Sequence, residues 1–201
     1  MNTTTKHVAV FGAAGGTGSE IVKQAIAKGY TVTALARTEC DVLDADAVRA
    51  ALKPETTAVF CALGAPKDAP TTVFSQGVAN IVAAMSGLRI QRFVGIAASA
   101  MYIDSYDNPL TRVAKPILQR IFRHPYTDMH AMEALLRQSS IDWTLVVPPK
   151  LTEGSATWRY RTALGHNVPW SFTLSRADLA DCMLAIVDDP ATFRGLTFAA
   201  K

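Results

Sequence analysis

Gly12, Gly15 and Gly18 fall at every third position of GAAGGTG, a segment that follows the apolar run 7–11 and opens a helical pattern. Residues without a Cβ at a strand-to-helix junction permit a tight turn and let a ligand come close to the backbone. The amides of Ala14, Gly16 and Thr17, together with those of the glycines, then supply donors at a helix N-terminus, where the dipole favours a diphosphate. The competing account is a plain tight turn. About 20 residues further on, dinucleotide-binding chains carry an acid to hold a ribose 2′-hydroxyl, or an arginine to accommodate a 2′-phosphate. This chain has Arg37 there, followed by Thr38. A guanidinium can pair two phosphate oxygens and stack on adenine, and a threonine can add a hydroxyl donor. NADP(H) is therefore the expected cofactor, against the alternative of an arginine merely exposed at a strand end.

These residues need a scaffold, and the pattern around them describes one. Runs rich in Val, Ile, Phe and Thr alternate with helical periodicity, which predicts an α/β protein with a doubly wound parallel sheet of Rossmann type. Strands are expected over 7–11, 31–36, 58–63, 92–97, 143–147 and 195–200, and helices over 16–28, 45–53, 72–85 and 110–123. Pro116 should kink or break the last of these helices. Pro125 opens another helix running to about 138, and Ser175 with Asp178 makes a capping-box start to one more. Only Thr38, Glu39 and Cys40 separate the second strand from Asp41-Val42-Leu43-Asp44. A parallel crossover needs about a dozen residues, so the usual strand beyond the second should be lost. No repeat or linker divides residues 1–201, which read as one domain with about 100–125 and 150–175 on the substrate side.

Composition narrows the function classes. Apolar residues make up 49% of the 201 and charged residues 18%, which excludes intrinsic disorder. No apolar stretch approaches the roughly 20 residues that cross a bilayer, and glycines interrupt the opening segment that resembles a signal peptide. The net charge of +3 is too mild for a nucleic-acid binder. Cys40, Cys61 and Cys182 fit neither a disulfide framework nor a CxxC site, and His7, His124, His130 and His166 are scattered, so no metal is expected. A cytoplasmic protein without membrane or nucleic-acid partners follows.

GAAGGTG, DVLDADAV, LGAPKDAPTTVFSQGVANIVAAM and LLRQSSIDWTLVVPPKL together resemble the atypical short-chain dehydrogenases of the NAD(P)H-binding group, and within it most closely the flavin reductases of biliverdin-IXβ reductase type. The resemblance covers about 6–151 and, more weakly, the helix after Ser175. It implies that Asp41 and Val42 lie beside the adenine, that Ala62, Leu63 and Gly64 run along the cofactor ribose, and that Ser99 lies near the nicotinamide. It also matches Pro148 and Pro149 to the family's Pro-Pro pair, with Lys150 where the flavin reductases have His. Short-chain dehydrogenases commonly use a YxxxK pair as proton donor. This chain offers only Thr111 with Lys115, and Tyr126 with His130 is out of register. The resemblance thus implies direct hydride transfer to a conjugated acceptor that needs little help from a protein acid.

Each remaining candidate has a plainer reading beside the functional one. Ser99 either contacts nicotinamide or acceptor, or satisfies local backbone; Lys150 either attracts a substrate anion or is simply solvated. Asn80 reads as a mid-helix residue bonded to a neighbouring loop rather than as a proton relay. The segment 110–123, with Arg112, Lys115, Arg120 and Arg123 among apolar residues, is either a solvated amphipathic face or a lid drawing in anionic substrates. Trp158, Tyr160 and Trp170, with Arg159 and Arg161, form either a pocket wall or core. The expected activity is NADPH-dependent reduction of a planar small molecule, possible acceptors being a flavin, a quinone or a linear tetrapyrrole, some of them anionic. The alternatives are an NADP-binding regulatory module without turnover, or an isomerase or cyclase on the same fold.

Overall fold

The uninterrupted apolar run His-Val-Ala-Val-Phe is what a strand covered on both faces requires, and in the computed structural model, which describes residues 6–67, 69–170 and 172–201, it becomes β1 (His7–Phe11), buried throughout. Alternation along it feeds two cores. Ala9 and Phe11 pack with Val78, Ile81 and Leu136, while Val8 and Val10 pack with Ile21, Leu179 and Met183 on the opposite face. The first face is covered by α2 (Ala45–Ala51), α3 (Ser75–Gly87) and α5 (Arg123–Gln138), the second by α1 (Gly16–Ala27) and α6 (Arg176–Ala185).

The remaining strands are β2 (Thr31–Leu35), β3 (Thr56–Cys61), β4 (Arg92–Ile96), β5 (Asp142–Val147), β6 (Lys150–Thr152), β7 (Arg161–Leu164), β8 (Thr173–Ser175) and β9 (Gly195–Ala200). The main sheet runs β2-β1-β3-β4-β5-β9-β7, parallel except for β7, which pairs antiparallel with β9. β2 is thus an edge, as the missing crossover predicts. Strand order reverses at β1, with β2 on one side and β3 on the other, and this switch point is where an open α/β sheet leaves a crevice.

Two expectations need correcting. The helix α4 (Pro109–Ile121) runs through Pro116, and the break comes instead at Phe122, before α5. Pro116 is exposed, so water can serve the carbonyl that it leaves without a donor. Pro125 decides the break, because its ring would clash with the carbonyl of Ile121, whereas in the first turn of a new helix its missing N–H has no partner to lose. The segment 151–172 is also more ordered than its mixed composition predicts. It contributes β6 to a two-stranded sheet with β8, and β7 to the edge of the main sheet.

The caps fix where the site-bearing loops begin. Asp44 accepts from the amides of Asp46 and Ala47 and so starts α2 immediately after the Asp41-Val42 turn. Ser175 accepts from the amide of Asp178, completing the expected N-terminal signature of α6. The start of α3 is capped from another helix: the buried Asp128 of α5 accepts from the amides of Phe74, at 2.8 Å, and Ser75, at 3.2 Å. Nothing local in the sequence signals that contact.

Candidate active site

The turn after β1 folds back on itself. Gly12 has φ +78°, and the amides of Gly12 and Ala13 both donate to the Leu35 carbonyl at 2.9 and 3.2 Å, while the Gly15 amide donates to Gly12 O at 3.0 Å. A Cβ on Gly12 would lie 2.4 Å from Ala62 O, and one on Gly18 would lie 2.1 Å from Gly12 O. Both glycines are therefore demanded by the packing of the loop itself. Gly64 is different, because a Cβ there would meet nothing within 4 Å. It faces a cavity that the packing does not fill.

That cavity, about 400 Å³, sits at the switch point beyond the ends of β1, β2 and β3. Of the residues expected at the cofactor, Gly12, Ala14, Gly15, Arg37, Asp41, Val42, Ala62, Leu63 and Gly64 line it; Leu35, Ala36, Cys40, Leu43 and Val73 complete the wall. Gly16, Thr17, Gly18 and Thr38 do not line it. Thr17 is buried under the loop, and Gly16 lies against the side chain of Arg176, whose Cδ would be 2.7 Å from a Cβ there. The Thr38 hydroxyl is taken by Glu39 at 2.7 Å, and the second oxygen of that carboxylate accepts the Ala36 amide at 3.0 Å. The hydroxyl bond to Thr38, foremost, holds the Glu39 carboxyl below the usual carboxylate range, so the group is ionised at neutral pH.

The cavity wall at Asp41 and Val42 is fixed from behind. Asn80 of α3 donates to Val42 O at 2.9 Å, the loop bond expected of it. Gly77, one turn earlier on α3, lets Val42 seat, since a Cβ there would come within 2.8 Å of the valine Cγ2. Asp41 Oδ1 accepts from the Leu43 amide at 3.0 Å.

A second cavity, about 720 Å³ and largely apolar, opens beyond β4 and β5. Ser99, Pro148, Pro149 and Lys150 line it with Thr111, Lys115, Tyr126 and Phe172. Ser99 is tied to the neighbouring strand by its amide, which donates to Pro148 O at 2.9 Å. Thr111 Oγ1 is buried with no hydrogen-bond partner among the described residues. Lys115 is buried and already engaged, donating to Tyr102 O and Asp107 Oδ1, each at 2.6 Å. Tyr126 stacks on Phe122 with ring centroids 5.6 Å apart, and burial pushes its phenol up, so it is a poor acid. His130 lies against Tyr102 and does not line the cavity. Trp158 and Tyr160 do not line it either, and the Tyr160 hydroxyl donates to Asp181 at 2.8 Å.

Burial raises all three thiols, Cys40 at the smaller cavity among them. Cys61 and Cys182 are buried, and desolvation pushes each up to about 12. Among the described residues no group of three His, Cys, Asp or Glu side chains is placed to hold a metal ion.

The family model described as NAD(P)H-binding matches residues 37–190. The chain belongs to the NAD(P)H-binding family. Solved structures share the fold of this NAD(P)H-binding protein over nearly its whole length. A proposed exported protein of Burkholderia pseudomallei superposes with a TM-score of 0.81 at 22% identity, covering 98% of this chain and 100% of the other. A proposed NADH-flavin reductase of Streptococcus pneumoniae gives 0.78 at 21% identity, covering 98% and 99%. A short-chain dehydrogenase/reductase of Veillonella parvula, solved in complex with NADP, gives 0.77 at 14% identity, covering 98% and 94%.

Leu35, Ala36, Cys40, Leu43 and Val73 line the smaller cavity without being expected there, and Arg176 is an unforeseen neighbour of the loop after β1. It lies at the start of α6, ion-paired with Glu153, and its side chain crosses Gly16 at the N-terminus of α1. No motif near Arg176 signals this, because the contact joins residues 160 positions apart in the sequence.

Proposed function

We propose that this NAD(P)H-binding protein is an oxidoreductase that uses NADPH and passes hydride directly to a planar conjugated acceptor. The observation that carries the reading is the pair of cavities along one edge of the sheet. The smaller has a glycine-lined floor and Arg37, and the larger is apolar and begins at Ser99. The open, glycine-lined space beside Gly12, Gly15 and Gly64 supports reading the smaller cavity as the dinucleotide site.

Arg37 would hold the 2′-phosphate, Gly15 and the start of α1 the diphosphate, and Asp41 with Val42 the adenine side. When bound, the nicotinamide supplies the hydride. Ser99 and Pro148 would orient it, and Lys150 at the exposed rim would attract an acceptor anion. With threonine four residues before the lysine and two of the three Lys115 N–H donors committed to Tyr102 O and Asp107 Oδ1, the site supplies no tyrosine acid and the acceptor takes up charge by its own conjugation. That disfavours simple ketones and favours flavins, quinones or linear tetrapyrroles.

The test is to follow NADPH absorbance in the near-ultraviolet against a panel of these acceptors and a panel of simple ketones. Consumption with the conjugated acceptors alone is expected. Tight NADPH binding without consumption would instead support a sensing module, and turnover of simple ketones would overturn the acid-free mechanism.

A further inference from the structure

The helix α4 turns outward what an amphipathic helix normally buries. Leu110, Val113, Ile117 and Ile121, spaced as one stripe on a helix, are 55–69% exposed, whereas the lysine of the same helix is buried. Trp170, 70% exposed and held at φ +55°, lines a small cleft with Asn108 and Thr111 at the head of α4. Phe172 shares the large cavity's wall with Leu110 and Leu118. The apolar stripe and the aromatic pair therefore adjoin on one face.

The charge along α4 itself has a single sign. Residues 108–127 contain no Asp or Glu, while Arg112 and Arg120 on α4 and Arg123 after it are exposed. The two carboxylates that bracket the segment are buried and occupied, Asp107 with Lys115 and Asp128 with the start of α3. A second copy of this chain packed on the face through a two-fold axis would oppose arginines with arginines and offer no carboxylate between them. An apolar stripe flanked on its own helix only by cations, with tryptophan beside it, matches the boundary of an anionic lipid layer.

We propose that α4, with Trp170 and Phe172, docks on an anionic lipid surface, lying in the headgroup plane with the mouth of the large cavity toward the lipid. No described helix is long and apolar enough to cross a membrane, so the contact is peripheral. It departs from the expectation of no membrane partner, which rests on hydropathy windows that register spanning segments only. The inference stands independently of the proposed reductase activity.

The test uses the full chain with vesicles of equal phosphatidylglycerol and phosphatidylcholine, and with vesicles of phosphatidylcholine alone. Co-sedimentation with the first and not the second, weakening at high salt, is expected, together with a blue shift of tryptophan emission that Trp170→Phe abolishes. The variants Ile117→Glu/Ile121→Glu and Arg112→Glu/Arg120→Glu alter only exposed side chains, and each should weaken partitioning by at least about tenfold. Circular dichroism of both variants should match the parent. Absence of sedimentation with anionic vesicles, variants that sediment as the parent does, or a concentration-dependent dimer lost in Ile117→Glu/Ile121→Glu would each overturn the proposal.

Discussion

The glycines around the smaller cavity divide into those that the packing requires, Gly12 and Gly18 after β1, and Gly64 after β3, where a Cβ would meet open space. Gly18→Ala drives a Cβ into the Gly12 carbonyl, so a loss of roughly 1–3 kcal/mol is expected in chemical denaturation, as for other overpacking substitutions. Gly64→Ala meets open space and should leave stability within about 0.5 kcal/mol while weakening NADPH binding in a fluorescence titration. Equal stability losses for the two variants would remove the distinction. Arg37→Asp should cost NADPH roughly 1.5–3 kcal/mol of affinity, on the order of tenfold to a hundredfold, and leave NADH far less affected. Arg37 is reached by its spacing from a strand end and Asp41 by the family resemblance, and both line the smaller cavity. Thr38 misleads because Glu39 beside it takes its hydroxyl, and Arg176 is invisible because it arrives from a distant helix.

Among the elements, α4 was the least legible. Periodicity locates the helix and leaves its environment open, because alternating cations and apolar residues look the same whichever side packs. The structure resolves this by burying Lys115 against Asp107, their side chains 3% and 2% exposed, and leaving the apolar stripe outside. Removing one partner of a buried ion pair strands the other charge, so Lys115→Met should destabilise the protein by roughly 3–5 kcal/mol in a denaturant titration. A change below about 1 kcal/mol would mean that the pair is hydrated. The boundary between α4 and α5 is hidden for a related reason. Both Pro116 and Pro125 can interrupt a helix, and only their surroundings show that an exposed proline is tolerated while Pro125 restarts the chain as α5.

For the molecule as a whole, the alternation of strands and helices is enough to give the Rossmann-like sheet, and the three residues between β2 and Asp41, too few for a crossover, give the lost edge strand. The segment 151–175 was not legible, since three- and four-residue strands leave no periodicity, and long-range contacts order them. Asp178 is one such contact. Burial pushes its carboxyl up, yet hydrogen bonds from Ser175 Oγ, the amides of Trp158 and Thr157 and the Thr157 hydroxyl together hold it below the usual range. A depressed folded pKa contributes stability that is present above the unfolded carboxylate value and lost as pH falls through the folded one. Acid titration followed by tryptophan emission should therefore show the 151–175 segment loosening only below the ordinary aspartate range, and Asp178→Asn should remove that step.

The most direct measurement is calorimetric titration of the unmodified protein with NADPH and, separately, with NADH. Saturable heat with NADPH, at an affinity at least about tenfold above that for NADH, is the result expected of an arginine facing a 2′-phosphate above a glycine-lined floor. No heat with either dinucleotide would contradict it.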